Sequence, residues 1–295
     1  MLRKLLSSFL LLSTVGASAQ QDSLIAGIQD IAWSPDGQYI YCSVLWHNRD
    51  WSDFAPHKWK VHRFHIRSKV DTVVADSAYT VAVAANGYRI AVGKLRNGKR
   101  NIWSMDADGR HARPVSTNPT DDYSPSWSPD GMALVYNATI DGKVEICRIR
   151  VDGSGYQRLT VSKGDNAHSP SWSPRDDRVV YYAANGDNKD QVHVMRADGT
   201  NDHNLTNDTL SNTFPAWADA DARTIIYSHS AKKGEPMAYT MDAEGKKKEP
   251  LGDVRSFYSR LSPDGKQIAC IDKVGLVRII DRATGGQVAE LRPMH

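Results

Sequence analysis

The sequence predicts an all-β chain, a six-bladed β-propeller of four-stranded antiparallel blades. Three observations predict it. An apolar or Trp anchor followed by a Ser-Pro-Asp-Gly-type turn recurs six times. The anchors, Trp33, Val83, Trp127, Trp172, Trp217 and Leu261, are spaced by 50, 44, 45, 45 and 44 residues. No stretch of comparable strength carries helical periodicity. A four-stranded sheet of this size leaves apolar faces in water, and radial repetition covers them by packing each sheet against its neighbours.

The elements follow in order. Arg3 and Lys4 precede an apolar run from Leu5 to Val15 and a small-residue site, Ala17-Ser18-Ala19. That pattern is an export leader, expected to be cut after Ala19 and too short to span a bilayer. Residues 20–295 are expected to form the propeller. Each repeat opens with a strand ending at the anchor. A turn follows: Trp33-Ser-Pro-Asp-Gly37 and Trp127-Ser-Pro-Asp-Gly131 are full copies, Arg260-Leu-Ser-Pro-Asp-Gly265 is a degraded one, and Val83-Ala-Ala-Asn-Gly87 is the weakest. Pro presets φ and Gly accepts positive φ, so these are tight turns. The second strands read as Tyr39–Cys42, Arg89–Val92, Ala133–Tyr136, Val179–Tyr182, Thr224–Tyr227 and Gln267–Cys270. A third strand runs into a second turn, as in Asp106-Ala-Asp-Gly109 and Val151-Asp-Gly153, and the fourth is short, as in Gln157–Thr160. The Trp anchors are expected to wedge between blades. For ring closure, Ser23–Ile28 is expected to add a strand to the terminal blade.

Composition narrows the function classes. The 37 Lys and Arg nearly balance the 34 Asp and Glu, and loss of Arg3 and Lys4 with the leader brings them closer. No electrostatic footprint for nucleic acid or an anionic membrane results. The three cysteines, Cys42, Cys147 and Cys270, lie in apolar strand-like runs. They read as buried small hydrophobes, with a Cys42–Cys270 bridge as the alternative. No metal site, cofactor or catalytic group is expected. His62 and His65 lie three apart on a strand and point to opposite faces. No Gly-x-Ser-x-Gly elbow is present for a hydrolase, and the acidic turns lack full calcium-loop spacing.

The repeat also locates a candidate recognition surface. The segment joining one blade to the next opens on one mouth of the axis. Four positions before the anchors stand Gln29, Tyr79, Tyr123, His168, Thr213 and Phe257, with Asp122, Asn212 and Tyr258 beside them. Aromatics mixed with polar groups suit a pocket for a sugar, a peptide or an exposed loop; the alternative is that the rings plug the channel. The first repeat carries an insertion, Leu45 to His57, with Trp46, His47, Trp51 and Phe54. It is expected to open on the same mouth as a recognition surface, or to fold over it as a shield.

The Trp-Ser-Pro-Asp-Gly, Asp-Ala-Asp-Gly and Arg-Leu-Thr or Asn-Leu-Thr motifs resemble the WD40-like repeats of the TolB propeller family, from about Asp22 onward. The resemblance implies a six-bladed binding propeller at the cell envelope. In that family's type member an α/β domain precedes a propeller that docks a peptidoglycan-associated lipoprotein. Here the repeats begin near the cleavage site, and that domain is not expected. An exported scaffold, periplasmic or secreted, is therefore expected to bind an envelope protein, peptide or glycan as a monomer, with no nucleic-acid partner and no transmembrane segment. The alternative is a glycan-active enzyme resembling propeller-fold oligogalacturonate lyases.

Overall fold

A computed structural model describes residues 25–47, 55–162, 166–185, 189–230, 235–272 and 275–293. The cleavage site after Ala19, Trp51 and Phe54 lie outside them. The described residues form six antiparallel sheets of four strands, each sheet built from strands consecutive in the chain. The blades cover 25–76, 78–114, 122–158, 167–204, 212–255 and 259–291. Because every blade is an antiparallel meander, turns after its first and third strands open on one face of the disc. Turns after its second and fourth strands open on the other.

Central strands bury both faces. In Ala133–Ile140 the first six residues are all buried, because one side faces the preceding blade and the other the next. The core is accordingly a set of layers between blades. One layer joins Ala84, Ala91, Ile102 and Val115 to Trp127, Leu134, Tyr136 and Cys147. Burial of such side chains contributes about 1.5–3 kcal/mol each, so neighbouring blades supply most of the stability a single sheet lacks.

The anchor and its turn have a shared chemistry. The Ser128 hydroxyl donates to Asp130 at 2.6 Å and accepts the Ala133 amide at 2.9 Å, while Asp130 also accepts the Met132 amide. The same bonds recur at Ser34 with Asp36 and at Ser262 with Asp264. Anchors do wedge between blades. The Trp127 indole donates to the Ala82 carbonyl at 3.2 Å, and Trp217 to that of Ser171 at 3.1 Å. Arg89 and Arg178 of the preceding blades lie over these two rings.

Ring closure differs from expectation. Ile25–Ile28 belong to the first strand of blade 1 and pair with Val44–His47, so the terminal blade is built from C-terminal residues alone. Side chains make the seam. Trp33 donates to the Arg260 carbonyl at 3.1 Å, repeating the Trp127 and Trp217 bonds, and Tyr258 donates to Asp30. One apolar layer joins Ile31, Ile40 and Cys42 to Ile271, Val277 and Leu291. The Cys42–Cys270 bridge is absent: all three cysteines are free and buried, each in a different layer. His62 is buried against Asp71 at 2.9 Å, whereas His65 stacks edge-on with Tyr39.

Candidate functional site: the mouth of the axial channel

The innermost strands do not run straight to their anchors. Register shifts interrupt them between Tyr123 and Ser126, between His168 and Ser171, and between Thr213 and Ala216. Ser124-Pro125, Ser169-Pro170 and Phe214-Pro215 each place a residue without an N–H there, which a bulge accommodates; the innermost strands of blades 1 and 2 shift at the same level without a Pro. Ser124, Ser169 and Phe214 all take φ near +50°. The preceding blade holds the bulges at Ser124 and Ser169 by a side-chain acceptor. Thr80 Oγ1 accepts the Ser124 amide and Asn137 Oδ1 the Ser169 amide, both at 2.9 Å. Asp30 does the same for Val81 at 3.0 Å. The bulges turn aromatic rings toward the axis.

Two arcs of rings result. In one, Trp59 meets Tyr79 at 5.1 Å and Tyr79 meets Tyr123 at 6.4 Å. The Arg100 guanidinium lies over both tyrosines, 4.8 and 4.3 Å from their centroids, and is clamped by Asp121 through its side chain and its own amide. Burial raises Asp121, but Arg100 more than offsets it and holds the carboxyl below its ordinary value. In the second arc His168 stacks on Tyr182 at 5.2 Å, and Tyr182 meets Phe214 at 5.4 Å. Phe214 in turn meets Phe257 and Tyr258. Burial pushes the His168 imidazole down to about 4 and the Tyr79 phenol up to about 12. His168 is therefore neutral at pH 7.

The structure brings Tyr79, Tyr123, His168, Phe257 and Tyr258 together. Thr213 is half-buried beside them, but in that blade Phe214 supplies the ring. Asp122 and Asn212 are wall, not lining: both are fully buried. Asp122 accepts from Ser116 and Thr120, and Asn212 is saturated by Gln191, Asp208, Leu210 and His229. Trp46 packs on the apolar layer that also holds Phe214 and Phe257, while His47 is buried and paired with Ile25. Sequence reasoning missed Tyr182, Phe214, Arg100 with Asp121, and Arg260 with Asp30. The Pro two residues before Trp127, Trp172 and Trp217 was the available signal for Phe214. Among the described residues no three His, Cys, Asp or Glu side chains converge as a metal ion would need.

A family model described as the TolB beta propeller domain matches residues 28–189, more than half of the chain. The chain belongs to the TolB β-propeller family. An uncharacterized protein of Agrobacterium fabrum is 25% identical over 256 residues, covering 81% of this chain and 82% of that protein. The Tol-Pal system protein TolB of Anaeromyxobacter dehalogenans is 30% identical over 129 residues, 44% of this chain. The match spans only 29% of that TolB, so its whole-protein role does not carry over with the fold. Among solved structures, TolB from Acinetobacter baumannii superposes with a TM-score of 0.66 at 13% identity, covering 90% of this chain and 78% of that one. An oligogalacturonate lyase in complex with manganese superposes at 0.62 with 14% identity, covering 92% and 85%. Identities this low show the fold alone.

Proposed function

We propose that this member of the TolB β-propeller family is an exported binding scaffold that holds an exposed loop or peptide of a cell-envelope protein at the mouth of its axial channel. The observation that carries the reading is the double arc of rings around the axis, with Arg100 laid between Tyr79 and Tyr123. Rigid aromatic anchors with an Arg are the residue types that dominate binding energy at interfaces. Export rests on the leader pattern of residues 1–19. Among the described residues no helix is long and apolar enough to cross a membrane.

The test is capture from an envelope fraction by the wild type, by Phe257→Ala and by Asp108→Ala on the opposite face. Phe257→Ala is expected to lower capture of one partner about tenfold or more, the scale of a lost interface anchor, in protein whose melting temperature falls but stays well above the assay temperature. Asp108→Ala is expected to leave capture intact. Equal capture by all three would remove the mouth as the binding surface.

A further inference from the structure

The channel carries a charge that the fold does not require. One position before each anchor, the innermost strands present Ala32, Ala82, Ser126, Ser171, Ala216 and Arg260. Five blades thus place a small side chain at this level and one places a guanidinium. Arg260 is held in position by neutral oxygens. It donates to the carbonyls of Ser259 at 2.9 Å and Phe214 at 3.3 Å, and to the Tyr258 hydroxyl at 2.6 Å. These bonds set the guanidinium at the level of the aromatic arc, over the Tyr258 ring at 4.0 Å. The carboxyl of Asp30 accepts the Tyr258 hydroxyl and the Val81 amide, so Tyr258 links it to Arg260 without a direct bond between the two charges. Burial raises Asp30 above its ordinary value against the pull of those bonds and of Arg260. A guanidinium oriented by neutral groups, and only partly exposed, attracts an anion more strongly than one in open water.

One sector of the rim has the same sign. On blades 1 and 2, Lys60 is paired with Asp76 at 3.7 Å and Arg100 with Asp121. The hairpin of blade 2 adds three more cations. Lys94 and Lys99 donate to the carbonyls of Asp76 and Pro119, which orient the ammonium groups without neutralising them. Arg96 lies over the Trp103 ring. Among the described residues this sector of the mouth is therefore positive although the chain as a whole is nearly neutral.

We propose that the partner segment taken up by this mouth is acidic, with one carboxylate seated against Arg260 and further acids facing the hairpin of blade 2. The inference rests on the binding reading above and names its chemistry. A protein segment fits better than an anionic bilayer. A flat surface meets only the rim, whereas Arg260 stands inside it, at the level of Phe214 and Tyr258.

The experiment measures fluorescence anisotropy of a labelled Gly-Ser peptide carrying Glu, beside the same peptide carrying Gln. Both are titrated with the wild-type protein, with Arg260→Lys, with Arg260→Met and with Lys94→Glu/Lys99→Glu. The acidic peptide is expected to bind about tenfold more tightly than the neutral one, and to weaken as salt rises. Arg260→Met and the double reversal should each weaken it about tenfold, with Arg260→Lys in between. Equal binding of the two peptides, or binding indifferent to the exposed double reversal, overturns the proposal. So does binding of phosphatidylglycerol vesicles without binding of the peptide. If the envelope partner is captured but neither peptide binds, the acidic inference fails while the mouth remains the binding surface. Loss of capture control at Phe257 would instead strike the binding reading itself.

Discussion

At the scale of single residues, His168 is the group whose burial has a measurable consequence. Its folded-state value of about 4 lies below the ordinary 6.5 because the channel wall disfavours the charged ring. Between those values the unfolded chain binds the extra proton and the folded chain does not. Stability from this group is then complete above about pH 6.5 and is lost as pH falls toward 4. The loss approaches about 3 kcal/mol at a slope near 1.4 kcal/mol per pH unit. In denaturant unfolding across pH 4–7, the wild type is expected to lose stability more steeply than His168→Gln as pH falls. An unchanged slope in the variant would assign the acid sensitivity to other groups. His168, Tyr79 and Tyr123 were legible because counting back four from an anchor stays on one strand, and Phe257 because the same count reaches the bend just before Ser259–Leu261. Tyr182 and Arg100 sit on second and third strands, and only the fold brings them to the axis. Arg260 was in view as part of a degraded Arg-Leu-Ser-Pro turn, but its significance lies in what the other five blades put at that level.

At the scale of elements, the two turns of each repeat look alike in sequence and differ in their surroundings. Gly131, in the first turn of blade 3, has φ +68° and open space where a side chain would begin. Gly109, in the second turn of blade 2, has φ +90°, and a Cβ there would stand 2.1 Å from the carbonyl oxygen of Val74 on blade 1. The first glycine answers to backbone conformation alone, and the second also to the approach of a neighbouring blade. Gly131→Ala is expected to cost about 1 kcal/mol. Gly109→Ala should cost about 3 kcal/mol or more, since a backbone clash adds to the left-handed penalty. Urea midpoints of the two variants check this, and equal losses would mean the blades slide apart without resistance. The turn chemistry was readable from Ser, Pro, Asp and Gly at fixed offsets. Strand lengths were less so. The second strand of blade 3 reaches Ile140, beyond the apolar run that announces it, because pairing with Lys143–Arg150 continues through polar residues.

At the scale of the whole molecule, period and count of the repeat gave the architecture, since a sheet that must be covered on both faces has few ways to arrange six copies of itself. Closure was not legible. No residue pattern distinguishes a strand lent to the last blade from one kept in the first, and Ile25–Ile28 stay with the first. The seam between blades 1 and 6 is instead the ordinary inter-blade contact made once more, with the Trp33–Arg260 bond in the place of its counterparts. The two faces of the resulting disc then differ in kind. One presents acid-rich turns satisfied by their own backbone amides, as at Asp152 with Ser154. The other presents the aromatic arcs and the basic hairpin of blade 2.

That difference makes recognition through the ringed mouth directly testable by site-specific photo-crosslinking in cells. A photoreactive side chain at Thr213, beside the arcs, is compared with one at Asp152 on the far face. The account predicts a discrete adduct with an envelope protein from position 213 and none from 152. Crosslinking from 152 alone would contradict it.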